Sequence, residues 1–205
     1  YSIDLGMNRC LESLDLSENN FSMLSLAGIN GDYSKNSLSN IDLSNNKLSD
    51  LTLNDMRAIR TLNLSNNQLS KLDLSFGDYV VDLNISHNLY EETIDLTYCT
   101  SMKRLDISHN NISFVTMPTE NNLEYFACNN NKLTYATLPE HGKLEEGNYI
   151  YAPQADIIIA SKGPGADLSE QLNSVSGSVT QYTWKSEGGN TLVEGTDYSI
   201  DNGVT

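Results

Sequence analysis

The stretch IRTLNLSNNQLSKLDL, Ile59–Leu74, decides the fold. Its apolar residues Ile59, Leu62, Leu64, Leu69, Leu72 and Leu74 stand at offsets 0, 3, 5, 10, 13 and 15. The two L-x-L pairs alternate with period two, as half-buried strands do, and no stretch of the chain sustains the 3.6-residue period of a long helix. The pattern returns as LESLDLSENNFSMLSL from Leu11, LSNIDLSNNKLSDLTL from Leu38 and VVDLNISHNLYEETIDL from Val80. It appears again as MKRLDISHNNISFVTM from Met102 and LEYFACNNNKLTYATL from Leu123. Successive starts lie 27, 21, 21, 22 and 21 residues apart. The period is therefore about 21 residues, with an insertion around Gly28–Asn36 and one extra residue near Glu91–Glu92.

One unit buries six apolar side chains, each worth roughly 1.5–3 kcal/mol, while ordering its backbone and side chains costs about 1.5 kcal/mol per residue. A lone unit breaks even or loses, so stacking against neighbours must supply the difference. The expected architecture is a right-handed superhelical stack with two strands per coil, hence two parallel sheets and few or no long helices. Offset 8 is asparagine in every unit: Asn19, Asn46, Asn67, Asn88, Asn110 and Asn131. The periodicity turns these amides inward, and a buried amide must find partners. They read as a structural ladder that bonds the turn backbone of its own and the next coil.

The motif L-x-x-L-x-L-x-x-N-x-L, with a second L-x-x-L-x-L nested behind it, resembles the leucine-rich repeat family, in particular the short repeats of bacterial cell-surface proteins. The resemblance covers residues 1–147, and departures from it are Cys128 and Ala136 at core positions and Thr93 or Ile94 beside the extra residue. It implies a solenoid that binds proteins through its concave sheet. The chain opens mid-unit, with Ile3 and Leu5 at offsets 13 and 15, which reads as an excised fragment. At the other end Leu144 opens a seventh coil, with Gly147 and Tyr149 at offsets 3 and 5 and Tyr149 and Tyr151 closing the stack. The solenoid is thus expected over residues 1–150, and residues 151–205 change character. An apolar run at Ile157–Ala160, turns at Lys162–Gly165 and Glu187–Gly189, and alternation around Tyr182 and Trp184 suggest antiparallel strands. This segment resembles the first half of a bacterial immunoglobulin-like domain, about half the length such a sandwich needs.

Composition narrows the function. With 12 Lys+Arg against 27 Asp+Glu, the formal charge is −15, so the surface repels phosphate and excludes nucleic acid as a partner. No apolar run approaches the ~18 residues of a membrane helix, so no membrane insertion is expected. Three cysteines form no disulfide framework, and free thiols are expected at Cys10, Cys99 and Cys128. Serine-elbow, phosphate-loop and zinc-dyad motifs are missing, and a flat sheet offers no cleft for a carboxylate pair. The expectation is a non-enzyme without cofactor or metal. His87 and His109 share offset 7 in adjacent coils and read as a solvated polar ladder ahead of a metal site, since Asn66 and Asn130 flank them; His141 stands apart. The acidic column at offset 4, Asp15, Asp42 and Asp106 interleaved with Asn63 and Asn84, reads as a solvated face ahead of a calcium site. The second sheet adds Asp4, Asp73 and Asp95.

The outward grid at offsets 1, 2 and 4 supplies the contact candidates Glu12, Asp15, Asp42, Arg60, Asp82, Arg104, Asp106 and Tyr125. Phe114 and Tyr135 share offset 12 with Met23 and mark either an interface or a surface covered by the C-terminal segment. Together with the resemblance, this implies an extracellular or cell-surface module for recognition or adhesion that binds a protein partner. The alternatives are a carbohydrate-binding accessory module and a structural spacer for another domain.

Overall fold

The computed structural model describes residues 11–26, 38–53, 56, 58–75, 77–120, 122–134, 136–139, 144–145, 147–155, 183–186 and 188–194. Each unit contributes a three-residue strand from its first L-x-L: β1 (Ser13–Asp15), β3 (Asn40–Asp42), β5 (Thr61–Asn63), β6 (Asp82–Asn84), β8 (Arg104–Asp106) and β10 (Tyr125–Ala127). With β11 (Tyr149–Ile150) they form one seven-stranded sheet in the order β1-β3-β5-β6-β8-β10-β11. Every pairing in it is parallel and in register, for example Ile41 against Leu62 and Leu62 against Leu83. The central strand residues Leu14, Ile41, Leu62, Leu83, Leu105 and Phe126 all point into the core. No α-helix occurs among the described residues; a single 3-10 turn spans Gly77–Tyr79.

The opposite side corrects the expectation of a second continuous sheet. It holds two separate two-stranded sheets, β2 (Met23–Ser25) with β4 (Asp50–Thr52), and β7 (Glu91–Asp95) with β9 (Asn111–Thr116). Residues 71–74 between them form no strand. The extra residue lies in the next coil. Glu92 takes φ 57, and the β7–β9 register shifts between Glu92 and Thr93. Such an extra residue disrupts a ladder locally; residues 71–74 pair neither with that coil nor with β4 on their other side. Gly77 is required nearby for space, because a Cβ there would meet Cys99 Sγ at 2.6 Å.

Between the two sides, each coil turns a corner on its Asn. Asn88 Nδ2 donates to the carbonyls of Leu64, Ile85 and Ser86 at 2.9, 3.1 and 3.1 Å, and its Oδ1 accepts from Leu69 N–H at 2.9 Å. Asn46, Asn67, Asn110 and Asn131 repeat this set and are buried. Asn19 is the exception: it is exposed and, among the described residues, reaches only the Leu16 and Ser17 carbonyls of its own coil. The residue before each ladder Asn is left-handed: Glu18, Asn45, Asn66, His87, His109 and Asn130 have φ between 54 and 57. Asn and His tolerate that region better than most residues, which accounts for the polar offset-7 column.

The last coil corrects the register expected from Leu144. Phe126 pairs with Tyr149 and Ala127 with Ile150, so Tyr149 and Tyr151 stand at offsets 3 and 5, two residues later than the spacing suggested. The Tyr149 ring stacks on Phe126 at 5.4 Å and packs at a tilt against Tyr151 at 5.3 Å, closing the core as expected. Gln154 then falls at offset 8. Its Oε1 accepts from Asn131 and Leu133 N–H at 3.2 Å each, and its Nε2 donates to the carbonyls of Cys128, at 2.8 Å, and Tyr151. Three of these match the bonds of a ladder Asn, supplied by a longer amide, and the Asn131 N–H takes the place of the second carbonyl of the residue's own coil. Ala136, expected in the core, is exposed in a turn closed by Thr137 and Leu138 N–H on the Thr134 carbonyl at 3.0 and 2.8 Å. Farther on, Lys185 and Thr191 form an antiparallel bridge around a turn with Gly189 at φ 80. The remaining strands expected in residues 151–205 lie outside the described residues.

Candidate functional site

The outer face of the seven-stranded sheet carries the chemistry. Side chains at offset 4 form a column by strand register, running Asp15, Asp42, Asn63, Asn84 and Asp106. Their first duty is local. Oδ1 of each accepts from the N–H two residues on, at Ser17, Ser44, Ser65, Ser86 and Ser108, at 2.9 to 3.2 Å. Four of these serines add their hydroxyls, at 2.6 to 2.8 Å. These are Asx turns. The Ser17 hydroxyl and amide hold the Asp15 carboxyl below its ordinary range. Reading the column as solvated surface missed this role, and the D/N-x-S spacing in these units was the signal for it. Asp73 and Asp95 do the same for Ser75 and Thr97 on the opposite side.

Offset 2 supplies a second row, Thr61, Asp82, Arg104 and Tyr125, also in register. The Arg104 guanidinium lies 4.6 Å from the Tyr125 ring centroid, and its Nε is 3.6 Å from Asp82 Oδ2. Tyr125 is half-buried. Burial first, then the Asp106 charge, pushes its phenol above the ordinary value, with Arg104 opposing. Lys103 pairs with Glu124 at offset 1. The exposed ion pairs contribute little stability, but the stacked Arg–Tyr pair holds a large side chain in a fixed place.

The two rows enclose an open depression of about 350 Å³. Five of the sequence-derived contact candidates line it: Asp42, Asp82, Arg104, Asp106 and Tyr125. Asn63, Asn84 and Thr61 also line it and were not among the candidates. Glu12, Asp15 and Arg60 are exposed on the same sheet side but do not line it.

Elsewhere, His87 and His109 stack with ring centroids 3.9 Å apart and planes 11° apart. Parallel rings aim their nitrogens side by side, a poor geometry for a shared metal. Burial and the neighbouring His109 hold His87 below its ordinary pKa, while Asp106 opposes. Among the described residues no group of three or more His, Cys, Asp or Glu is placed to hold a metal ion. Cys99 and Cys128 are buried free thiols, pushed up to about 12 chiefly by burial. Met23 and Phe114 point outward as expected; Tyr135, His141, Cys10 and Asp4 lie outside the described residues. No helix among the described residues is long and apolar enough to cross a membrane.

The leucine-rich repeat family model matches residues 10–31 and 58–78. Among solved structures, the chain is similar to the functional domain of InlJ from Listeria monocytogenes, described as including a cysteine ladder. The match has a TM-score of 0.58 and 22% identity, and covers 83% of this chain and 35% of that one. This chain thus spans about a third of that structure's length, and the likeness is one of fold. No curated protein matches it. The chain carries leucine-rich repeats in a mainly β, parallel solenoid, and its own ladder is built of amides.

Proposed function

We propose that this chain is a non-catalytic recognition module of the extracellular space or a bacterial cell surface, binding a protein partner through the outer face of its seven-stranded sheet. The observation that carries the reading is the depression between the offset-2 and offset-4 rows, with the Arg104–Tyr125 stack fixed at its rim. Arginine and tyrosine are the residues that most often dominate protein interfaces. A repeated grid on a solenoid sheet is also how such folds present a binding surface. The surface location rests on the resemblance of the nested short repeats to those of bacterial surface proteins. An immunoglobulin-like segment over residues 151–205 belongs to the same reading, as a companion domain. The carbohydrate alternative calls for an aromatic face open to a sugar ring, whereas Arg104 covers one face of Tyr125. The spacer alternative assigns the depression no role.

The test is capture from extracellular extract by the immobilised chain, with and without enzymatic glycan removal, against the Arg104→Ala/Tyr125→Ala variant. Neither side chain caps a turn, so the sheet should survive. A protein partner that persists after deglycosylation and falls at least about tenfold in the variant, a hot-spot-sized loss, is the expected result. Loss on glycan removal would favour carbohydrate. Equal capture by the variant would remove this face from consideration.

A further inference from the structure

The depression is a channel. Its two walls, Thr61-Asp82-Arg104-Tyr125 and Asp42-Asn63-Asn84-Asp106, run across the strands, and Leu62 and Leu105 lie between them. Along the first wall charge is balanced, because Asp82 pairs with Arg104. Along the second it is not. Neither Asp42 nor Asp106 has an ion partner among the described residues. Asn63 Nδ2 donates to Asp42 Oδ2 at 3.0 Å, whereas the second oxygen of Asp106 accepts no hydrogen bond among the described residues. Asn84 Nδ2 likewise has no acceptor there.

The spacing of the two carboxylates selects an occupant. Neighbouring strands lie about 4.8 Å apart, so Asp42 and Asp106, three strands apart, are separated by about 14 Å. An extended peptide advances about 3.4 Å per residue, so four residues cover the same span. We infer that the channel takes an extended basic segment of a protein partner, laid across the strands, with two cationic side chains four residues apart, one at Asp42 and one at Asp106. The inference rests on the protein-recognition reading above and adds the chemistry of the partner. Asn84 lies between the two anchor points and faces the segment's backbone, where its free amide hydrogens meet a peptide carbonyl.

A formal charge of −15 attracts any cation weakly, so the test must hold charge constant. The probes are two nine-residue peptides of identical composition, with lysines either four residues apart or adjacent. A third carries glutamates in place of lysines. Binding to the full chain is followed by amide-resolved NMR titration, including the Asn63 and Asn84 side-chain amides. The Asp42→Asn/Asp106→Asn variant removes the two anchors. Asn63 and Asn84 show that asparagine keeps the turn at this offset. Asp73→Asn/Asp95→Asn makes the same charge change on the opposite side.

The expected result is a preference for the four-spaced peptide, with shifts centred on Asn84. Its affinity falls about three- to tenfold in the channel variant, the range for two exposed ion pairs, and less than about twofold in the control. Equal losses in both variants, no preference between lysine spacings, or binding of the glutamate peptide would overturn the inference. If the Arg104/Tyr125 variant still abolishes capture of a protein partner in that case, protein recognition stands and only the basic occupant falls.

Discussion

The two sides of the solenoid were written with the same L-x-L code, yet one forms seven continuous strands and the other two short pairs. The difference lies in what fixes the chain between them. From the first apolar residue of a unit to its ladder Asn the count is 8 in all six units. From that Asn to the next unit's first residue it is 19, 13, 13, 14 and 13. The first sheet sits inside the constant interval. Strands β3, β5, β6 and β8 each lead into a corner held by an Asx turn, a left-handed residue and a four-bond amide. The opposite side sits in the variable interval, held mainly by apolar packing, which tolerates a one-residue slip. Hydrogen-bonded corners set register, whereas hydrophobic burial alone sets only which residues face inward.

The largest expected effect breaks a corner. Asn88→Ala leaves the Leu69 N–H without its partner and takes one of two hydrogen bonds from each of the Leu64, Ile85 and Ser86 carbonyls, which keep Asn67 Nδ2, Asn110 Nδ2 and the Asn66 N–H. One unsatisfied buried N–H costs about 1–3 kcal/mol and each of the three lost carbonyl bonds about 0.5–1.5 kcal/mol, so the loss should be about 3 kcal/mol or more. Leu72→Ala, half-buried on the interrupted side, should cost about 1–2 kcal/mol. Urea midpoints for the two variants measure the contrast, and comparable losses would end the distinction between the two sides.

A smaller effect sharpens it at the ends. Gln154 supplies three of a rung's four bonds, so Gln154→Ala should cost about 1–2 kcal/mol. Asn19 is exposed with two bonds to its own coil, and Asn19→Ala should cost under about 0.5 kcal/mol. Hydrogen exchange at Leu133 N–H should accelerate in the first variant only; protection that is unchanged there would show that Gln154 is not a rung. The smallest effect has the opposite sign. Tyr90 Oη is buried without a hydrogen-bond partner among the described residues, and burial holds the phenol above its ordinary pKa. Tyr90→Phe should leave stability unchanged or raise it by up to about 1 kcal/mol. A measured loss of stability would reveal a partner for the hydroxyl.

Much of the site's framework was legible from the repeat. Offset arithmetic placed Asp82, Arg104 and Tyr125 beside one another and placed Asp42 and Asp106 on the neighbouring column. It did not show that the rows enclose a depression, because depth depends on how strands twist and how long side chains lie down over their neighbours. It also gave the offset-4 residues too little structural weight. Asp15, Asp42 and Asp106 look like free surface charges until the serine two residues on is seen to bond them. In the last coil, periodicity favoured Leu144, while packing of the Tyr149 ring on Phe126 moved the register by two residues. Gln154 was invisible to a search for asparagine, although its amide does the same job.

The sequence by itself determined the parallel stack, the inward leucines and the amide ladder. Each of these follows from a repeat length and from the rule that buried polar groups must be bonded. The tertiary structure alone decided where strand pairing stops, which carboxylates are left without ion partners and how Arg104 and Tyr125 frame a channel. Those outcomes depend on contacts between coils, where a single extra residue or one large ring shifts the geometry that a one-dimensional period cannot record.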